Sequence, residues 1–299
     1  MSESLATDLR HVSFNGAVRA ARVQGETGRP ARRGAAPSAV PVDDFAAWVL
    51  RRAGIDPAAY RSRAFTRRIA PSLRTLGVAS VSDARALIER RHDLLPAVLS
   101  TLLIGVTEFF RDPQVFDGIR AVALPALAGR RWPPRVWSAG CSSGAELYTV
   151  AILLDEAGLL DGATLLGTDC RDEAIAEARV STYRPPVSQT LPPAYAARYF
   201  RACGPEALRP VRRLRAAASW KVADLHAAAE EGPWDLVLWR NAAIYLEPDV
   251  AGRICRRLVD TIAPGGFLVV GKAERPPADL GLVHAGRCLH RKPGGTDAS

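Results

Sequence analysis

The stretch Gly140-Cys141-Ser142-Ser143-Gly144-Ala145-Glu146 follows an apolar run from Arg135 and leads into Leu147, Val150, Ala151 and Leu154 at helical spacing. That pattern reads as strand, tight turn and helix. Gly140 and Gly144 let backbone come close to a ligand, since neither carries a Cβ. Such a turn at the carboxyl end of a parallel strand is where open α/β sheets bind nucleotides. The turn has neither Gly-Lys-Ser/Thr to hold phosphates nor Gly-x-Gly-x-x-Gly spacing. Its first acid, Glu146, opens the helix and suits a cationic group better than a pyrophosphate. Asp169 ends the next strand, and an acid roughly 20 residues past a glycine turn commonly holds ribose hydroxyls. Arg240-Asn241 end a third apolar strand at the same ligand edge. Arg111 follows Phe109-Phe110, a ring pair that anchors its segment and aims the arginine elsewhere. The histidines (His11, His92, His226, His284, His290) show no catalytic grouping. The five cysteines form no Cys-x-x-Cys pair, so neither a metal site nor a disulfide framework is expected.

These groups need a scaffold. Strands at 135–139, 163–168, 234–239, 266–271 and 286–291 alternate with helices near 146–158, 171–180, 192–200 and 248–263. The series predicts a mostly parallel sheet with helices on both faces, filling residues 106–292. Residues 203–223 break the rhythm and predict a small insertion on the sheet edge. Pro113 starts a helix to about Gly129. Upstream, residues 41–105 read as a helical N-terminal domain of about four helices. Asp43 or Asp44 caps the first, whose apolar face is Phe45, Trp48 and Val49. A second, basic helix carries Arg61, Arg68 and Arg74 on much of one side and is interrupted or kinked at Pro71. That side is either a solvated face or a docking surface for an acidic partner. The Ser-Val-Ser-Asp stretch around Ser82 opens a third helix, and Asp93 to Leu103 forms another.

Residues 1–40, with six arginines against three acids, and residues 293–299 read as disordered tails. The net charge of +9 permits nucleic acid, anionic lipid or an acidic protein as partner and does not choose among them. No stretch approaches eighteen apolar residues, so no membrane span is expected, and no signal-peptide centre is seen. The odd cysteine count points to reduced thiols and the cytoplasm.

With these residues in place, the chain resembles the chemotaxis-receptor methyltransferases of the CheR type. Four segments carry the likeness: Thr107–Pro113, Val136–Tyr148, Arg240-Asn241-Ala242-Ala243-Ile244-Tyr245, and Pro264-Gly265-Gly266 followed by Gly271-Lys272-Ala273-Glu274. The resemblance runs from about residue 43 to 291. It implies a Rossmann-like, S-adenosylmethionine-dependent methyltransferase sheet, preceded by a small all-helical domain and carrying a small β insertion. It implies transfer of methyl groups to glutamate side chains in the cytoplasmic domain of a membrane chemoreceptor, giving glutamate methyl esters and S-adenosylhomocysteine. No metal and no nucleic acid take part, and the chain is expected to be a monomer.

The resemblance also implies roles. Arg111 pairs with the methionine carboxylate of the cofactor, with Thr107 beside it. Glu146 accepts from the methionine ammonium and Asp169 takes the ribose hydroxyls. Asp224-Leu225 lies against adenine, where the family has Asn-Leu. Arg240 and Asn241 line the site near sulfur, Arg240 receives the substrate carboxylate, and Tyr245 lies beside the methyl path. Arg61, Arg68 and Arg74 face the acidic methylation region of the receptor. Departures from the family are Ala145 for one of two paired acids, Leu147 for a usual Pro, Gly105 for a frequent Asn, Lys272 and Ala273 in Gly-His-Ser-Glu, Ala202 for an Arg, and Pro71 and Ser72 in the basic helix. They leave open a catalytically weakened cofactor-binding module, or a methyltransferase with another acceptor.

Overall fold

The fold is taken from a computed structural model that describes residues 42–103 and 107–294. The expectations for residues 1–40, for Gly105 and for 295–299 lie outside the described residues.

The first described segment contains helices only: α1 (Val42–Arg52), α2 (Ser62–Thr66), α3 (Ile69–Leu76), α4 (Val81–Arg90) and α5 (Leu95–Leu102), with short 3-10 turns between. Phe45, Val49, Leu50, Phe65, Ile69, Ile88, Val98 and Leu102 form its own buried cluster. Trp48 lies at the cluster's edge, where Arg52 and Arg85 cover its ring. Ser80 caps α4 by accepting the Asp83 N–H. The basic helix differs from expectation. The break falls at Arg67-Arg68, and Pro71 sits inside the first turn of α3. A proline is tolerated there because first-turn N–H groups have no partner within the helix.

Next come α6 (Pro113–Gly118), a π turn at Ile119–Ala123, and α7 (Leu124–Ala128). Pro125, with no N–H to give, sits just past the widened turn. The sheet region then runs β1 (Arg135–Ala139), α8 (Ala145–Glu156), β2 (Thr164–Asp169), α9 (Asp172–Val180), α10 (Pro193–Tyr199), β3 (Phe200–Gly204), β4 (Ala207–Pro210), α11 (Arg212–Ala217), β5 (Ala218–Val222), β6 (Trp234–Trp239), α12 (Pro248–Asp260), β7 (Ile262–Val270), β8 (Val283–Gly286) and β9 (Leu289–Arg291).

The main sheet has the order β5-β2-β1-β6-β7-β9-β8. Its first five strands are parallel, and the β8–β9 hairpin closes one edge antiparallel. Successive side chains point to opposite faces. Val136, Leu236, Leu238, Phe267 and Val269 join the cluster under α8, whereas Trp137, Val237, Trp239, Leu268 and Val270 join the one under α12. The strand order reverses between β1 and β6, and loops at that switch point form the ligand crevice of open α/β sheets.

Two strand expectations change in their bounds. The small β insertion is the separate two-stranded ladder of β3 and β4, while β5 is the outer strand of the main sheet, pairing Leu165 with Ala218 through Asp169 with Val222. Trp220 supplies the reason, since its ring lies over Gly167 and Gly144 and completes the core there. The expected strand 286–291 is the turn and second arm of a hairpin, with Cys288 in the left-handed region.

Candidate active site at the carboxyl edge of the sheet

Loops after β1, β2, β5 and β6 converge at the carboxyl edge and enclose a cleft with Thr107–Arg111 and Tyr60. Its free volume, mouth included, is about 1050 Å³. The turn after β1 is tied to β2: Gly140 and Cys141 both donate to the Thr168 carbonyl at 2.8 Å. Gly140 lines the cleft at φ +80°, and among the described residues only the Ala242 Cβ, 3.8 Å away, is near where its own Cβ would stand. Gly144 does not approach a ligand. It turns at φ +90° beneath Trp220, whose ring would lie 2.4 Å from an added Cβ.

Phe109 and Phe110 are both buried in one core cluster. Phe110 takes a left-handed φ of +53°, which turns adjacent rings onto different neighbours. Phe109 meets Tyr183 and Phe200 edge-on, and Phe110 stacks on Tyr195. Arg111 is thereby brought to the cleft, as is the buried Thr107. Phe110, Asp112, Ser142 and Asn241 all adopt positive φ around this edge. Such strain gathers where surrounding structure fixes a site.

Glu146 stands in the first turn of α8, where the helix N-terminus favours negative charge. It accepts from Ser138 Oγ at 2.9 Å and from Arg240 Nη1 at 2.8 Å. Arg240 also donates from Nη2 to the Arg111 carbonyl (2.8 Å) and to Asp112 Oδ2 (3.1 Å), and its side chain is 1% exposed. Arg240 lines the cleft, the side on which a substrate carboxylate was expected to meet it. Two acids of its own chain pair with its guanidinium in this structure. Lys272 Nζ pairs with the other Asp112 oxygen. Burial raises the Asp112 carboxyl, but Lys272, Arg240 and Arg111 outweigh it and hold the group below its ordinary value.

Asp169 is buried and held on both oxygens. Ser142 N–H donates to Oδ2 at 2.9 Å, and the Arg171 fork reaches Oδ1 at 3.0 Å and Oδ2 at 3.2 Å. Asp224 accepts the His226 N–H at 2.8 Å, and Asp224, Leu225 and His226 line the far end of the cleft. Asn241 and Tyr245 line it on the β6 side. Arg61, Arg68 and Arg74 do not share one helix side: Arg61 precedes α2, Arg68 precedes α3, and Arg74 lies in the last turn of α3. Ala145, the position of the missing acid, is fully buried in the core rather than in the cleft.

Four residues were not singled out as site residues from sequence. Tyr60 carries the helical segment to the cleft. It forms an antiparallel bridge with Leu246, flanked by Arg61 N–H to the Tyr245 carbonyl and Glu247 N–H to the Ala59 carbonyl, both 2.9 Å. Burial, then Cys170, Asp224 and Asp169, push its phenol upward, so it stays neutral at pH 7. No local pattern marks such a residue. Arg171 and His226 each lie two residues past an acid already singled out, a spacing that could have drawn notice. Glu274 ends the Gly271-Lys272-Ala273-Glu274 segment. Its carboxyl accepts the N–H groups of Asn241, Ala242, Ala243 and Gly271 at 2.8, 2.9, 2.8 and 2.6 Å. Burial pushes that carboxyl up, against the pull of the four donors. It therefore acts as a clasp that fixes the loop after β6.

Residues 105–282 match the family described as "CheR methyltransferase, SAM binding domain". The chain belongs to the CheR methyltransferase family. A chemotaxis protein methyltransferase of Klebsiella aerogenes is 33% identical over 235 residues, covering 76% of this chain and 80% of that one. Chemotaxis protein methyltransferase 1 of Pseudomonas aeruginosa is 27% identical, covering 77% and 88%. The donor set of this CheR-family cleft fits S-adenosylmethionine. The carboxylates Glu146, Asp169 and Asp224 suit an ammonium, a diol and an amine, Arg111 suits a carboxylate, and Gly140 leaves the wall open. Among the described residues, no helix is long and apolar enough to cross a membrane.

Proposed function

We propose that this chain methylates glutamate side chains in the cytoplasmic domain of a chemoreceptor, leaving glutamate methyl esters and S-adenosylhomocysteine. One observation carries the reading. Thr107, Arg111, Glu146, Asp169, Asp224, Asn241 and Tyr245 come from separate segments of a CheR-family chain and line one cleft. When bound, S-adenosylmethionine supplies a methyl group already activated on a sulfonium. The chain must then bind, align and exclude water.

Arg111, with Thr107 beside it, holds the cofactor's carboxylate, and Glu146 holds its ammonium. Asp169 would accept hydrogen bonds from the ribose hydroxyls. Asp224 and Leu225 flank the adenine. Asn241, clasped by Glu274, borders the reacting end, and Tyr245 orients the acceptor. A glutamate acceptor is ionised at neutral pH, so no general base is needed. Arg240 is a positioning residue that fixes Glu146 and the Arg111–Asp112 backbone. Arg61, Arg68 and Arg74 supply positive charge for an acidic receptor surface. The reaction belongs in the cytoplasm, where such receptor domains lie.

Incubation with methyl-labelled S-adenosylmethionine and a receptor cytoplasmic fragment tests the reading. Label that is released by mild base marks a methyl ester. Base-stable label, or cofactor binding with no label on any receptor fragment, overturns it.

A further inference from the structure

A second cavity, with a free volume of about 540 Å³ mouth included, lies where the segment after β7 meets the β8–β9 hairpin. Lys272 and Arg275 line it from that segment, His284 from β8, Arg287 and Cys288 from the hairpin turn, and His290 from β9. None of these residues is acidic. Of these, only Lys272 has a carboxylate partner among the described residues: Asp112, which it shares with Arg240. Arg275 is held in place by Nη1, which donates to the Lys272 carbonyl at 2.9 Å and the Glu274 carbonyl at 2.7 Å. The two imidazoles meet edge-on, with ring centroids 5.7 Å apart. His290 titrates below its ordinary value, through burial first and then His284 and Arg275.

We propose that this cavity binds a small phosphate-bearing anion, gripped by Lys272, Arg275 and Arg287 with His284 and His290 beside them. The arrangement favours a tetrahedral oxyanion over a carboxylate. A carboxylate presents two oxygens in one plane, whereas these three cations arrive from two stretches of chain around a concave space that the two imidazoles also line. Guanidinium groups recognise phosphate oxygens through paired N–H donors, and a lysine adds a point charge. An anion here also competes with Asp112 for Lys272, one ion pair away from Arg240. The site stands apart from the methyl-transfer reading, since none of its lining residues belongs to the cleft.

Calorimetric titration of the full chain with inorganic pyrophosphate at low salt tests the proposal, with a glutamate-rich peptide as a second arm. Saturable pyrophosphate binding is expected, weakened at least about tenfold by Arg287→Ala or Arg275→Ala. Arg287 is exposed, and an unchanged thermal midpoint for Arg287→Ala would establish that its fold is intact. The C2 proton resonances of His284 and His290 should move on addition of pyrophosphate. Absence of saturable binding overturns the proposal, as does binding that both substitutions leave unchanged. Capture of the peptide but not pyrophosphate at these residues also overturns it, in favour of an acidic protein partner.

Discussion

Arg240 Nη1 lies 2.8 Å from Glu146 Oε2, joining the residue after β6 to the first turn of α8 across the point where the strand order reverses. The same guanidinium holds Asp112, so one buried cation organises two acids and the Arg111 backbone. Removing one partner of a buried pair costs about 3–5 kcal/mol, because the remaining charge is left uncompensated. Glu146 and Asp112 keep 16% and 18% side-chain exposure, which places Arg240→Ala near the lower end of that range. The expected outcome is a lower urea midpoint together with weakened cofactor binding. A variant as stable as the parent would show that this network has no structural weight.

Arg111→Ala separates the side chain from the backbone role, because the carbonyl that Arg240 uses is retained. A hydrogen bond to a charged group contributes about 1.5–3 kcal/mol. Binding of S-adenosylhomocysteine should therefore weaken roughly tenfold to a hundredfold by calorimetry, with partial recovery in Arg111→Lys. Unchanged affinity would remove Arg111 from the cofactor site.

The β1–turn–α8 unit was legible in the sequence because its periodicity and small residues are local. So were Arg111, Glu146, Asp169 and Tyr245 as residues of one region, since the motifs containing them stand at strand ends or beside them. What was not legible depends on neighbours distant in the chain. The pairing of Arg240 with Glu146 and Asp112 joins residues that no local spacing connects. Gly144 looked like a ligand-facing glycine, but Trp220, from an edge strand hidden in an irregular basic stretch, fills the space above it. Tyr60 reaches the cleft only through its bridge to Leu246, for which no spacing rule exists. Ala145 looked like a loss from the cleft, yet its side chain points into the core.

Asp112 gives the region an acid limb. Its folded carboxyl titrates below the unfolded value because Lys272, Arg240 and Arg111 outweigh burial. Between the two values the unfolded chain binds the proton more readily, so stability falls as pH falls. The contribution is complete above the ordinary aspartate value of about 4 and is lost as pH drops through the folded value. Asp112→Asn should therefore be less stable than the parent at pH 7, and the gap should narrow on acidification. Urea midpoints of both proteins, measured at neutral pH and at successively lower pH, check the direction. A gap that widens on acidification would contradict it.

The two glycines of the first turn are expected to fail in different ways. Both are left-handed, at φ +80° for Gly140 and +90° for Gly144, so alanine at either costs about 1–2 kcal/mol in backbone strain. At Gly144 the added methyl also meets the Trp220 ring, and overpacking adds about 1–3 kcal/mol. At Gly140 the methyl meets little protein and instead occupies the cleft wall beside Ala242. Gly144→Ala should thus show the larger fall in urea midpoint. Gly140→Ala should stay closer to the parent in stability and lose affinity for S-adenosylhomocysteine at least about tenfold, on the scale of a misplaced methyl group in a closely fitted site. If the two substitutions exchanged these effects, Gly140 would not border the cofactor and Gly144 would.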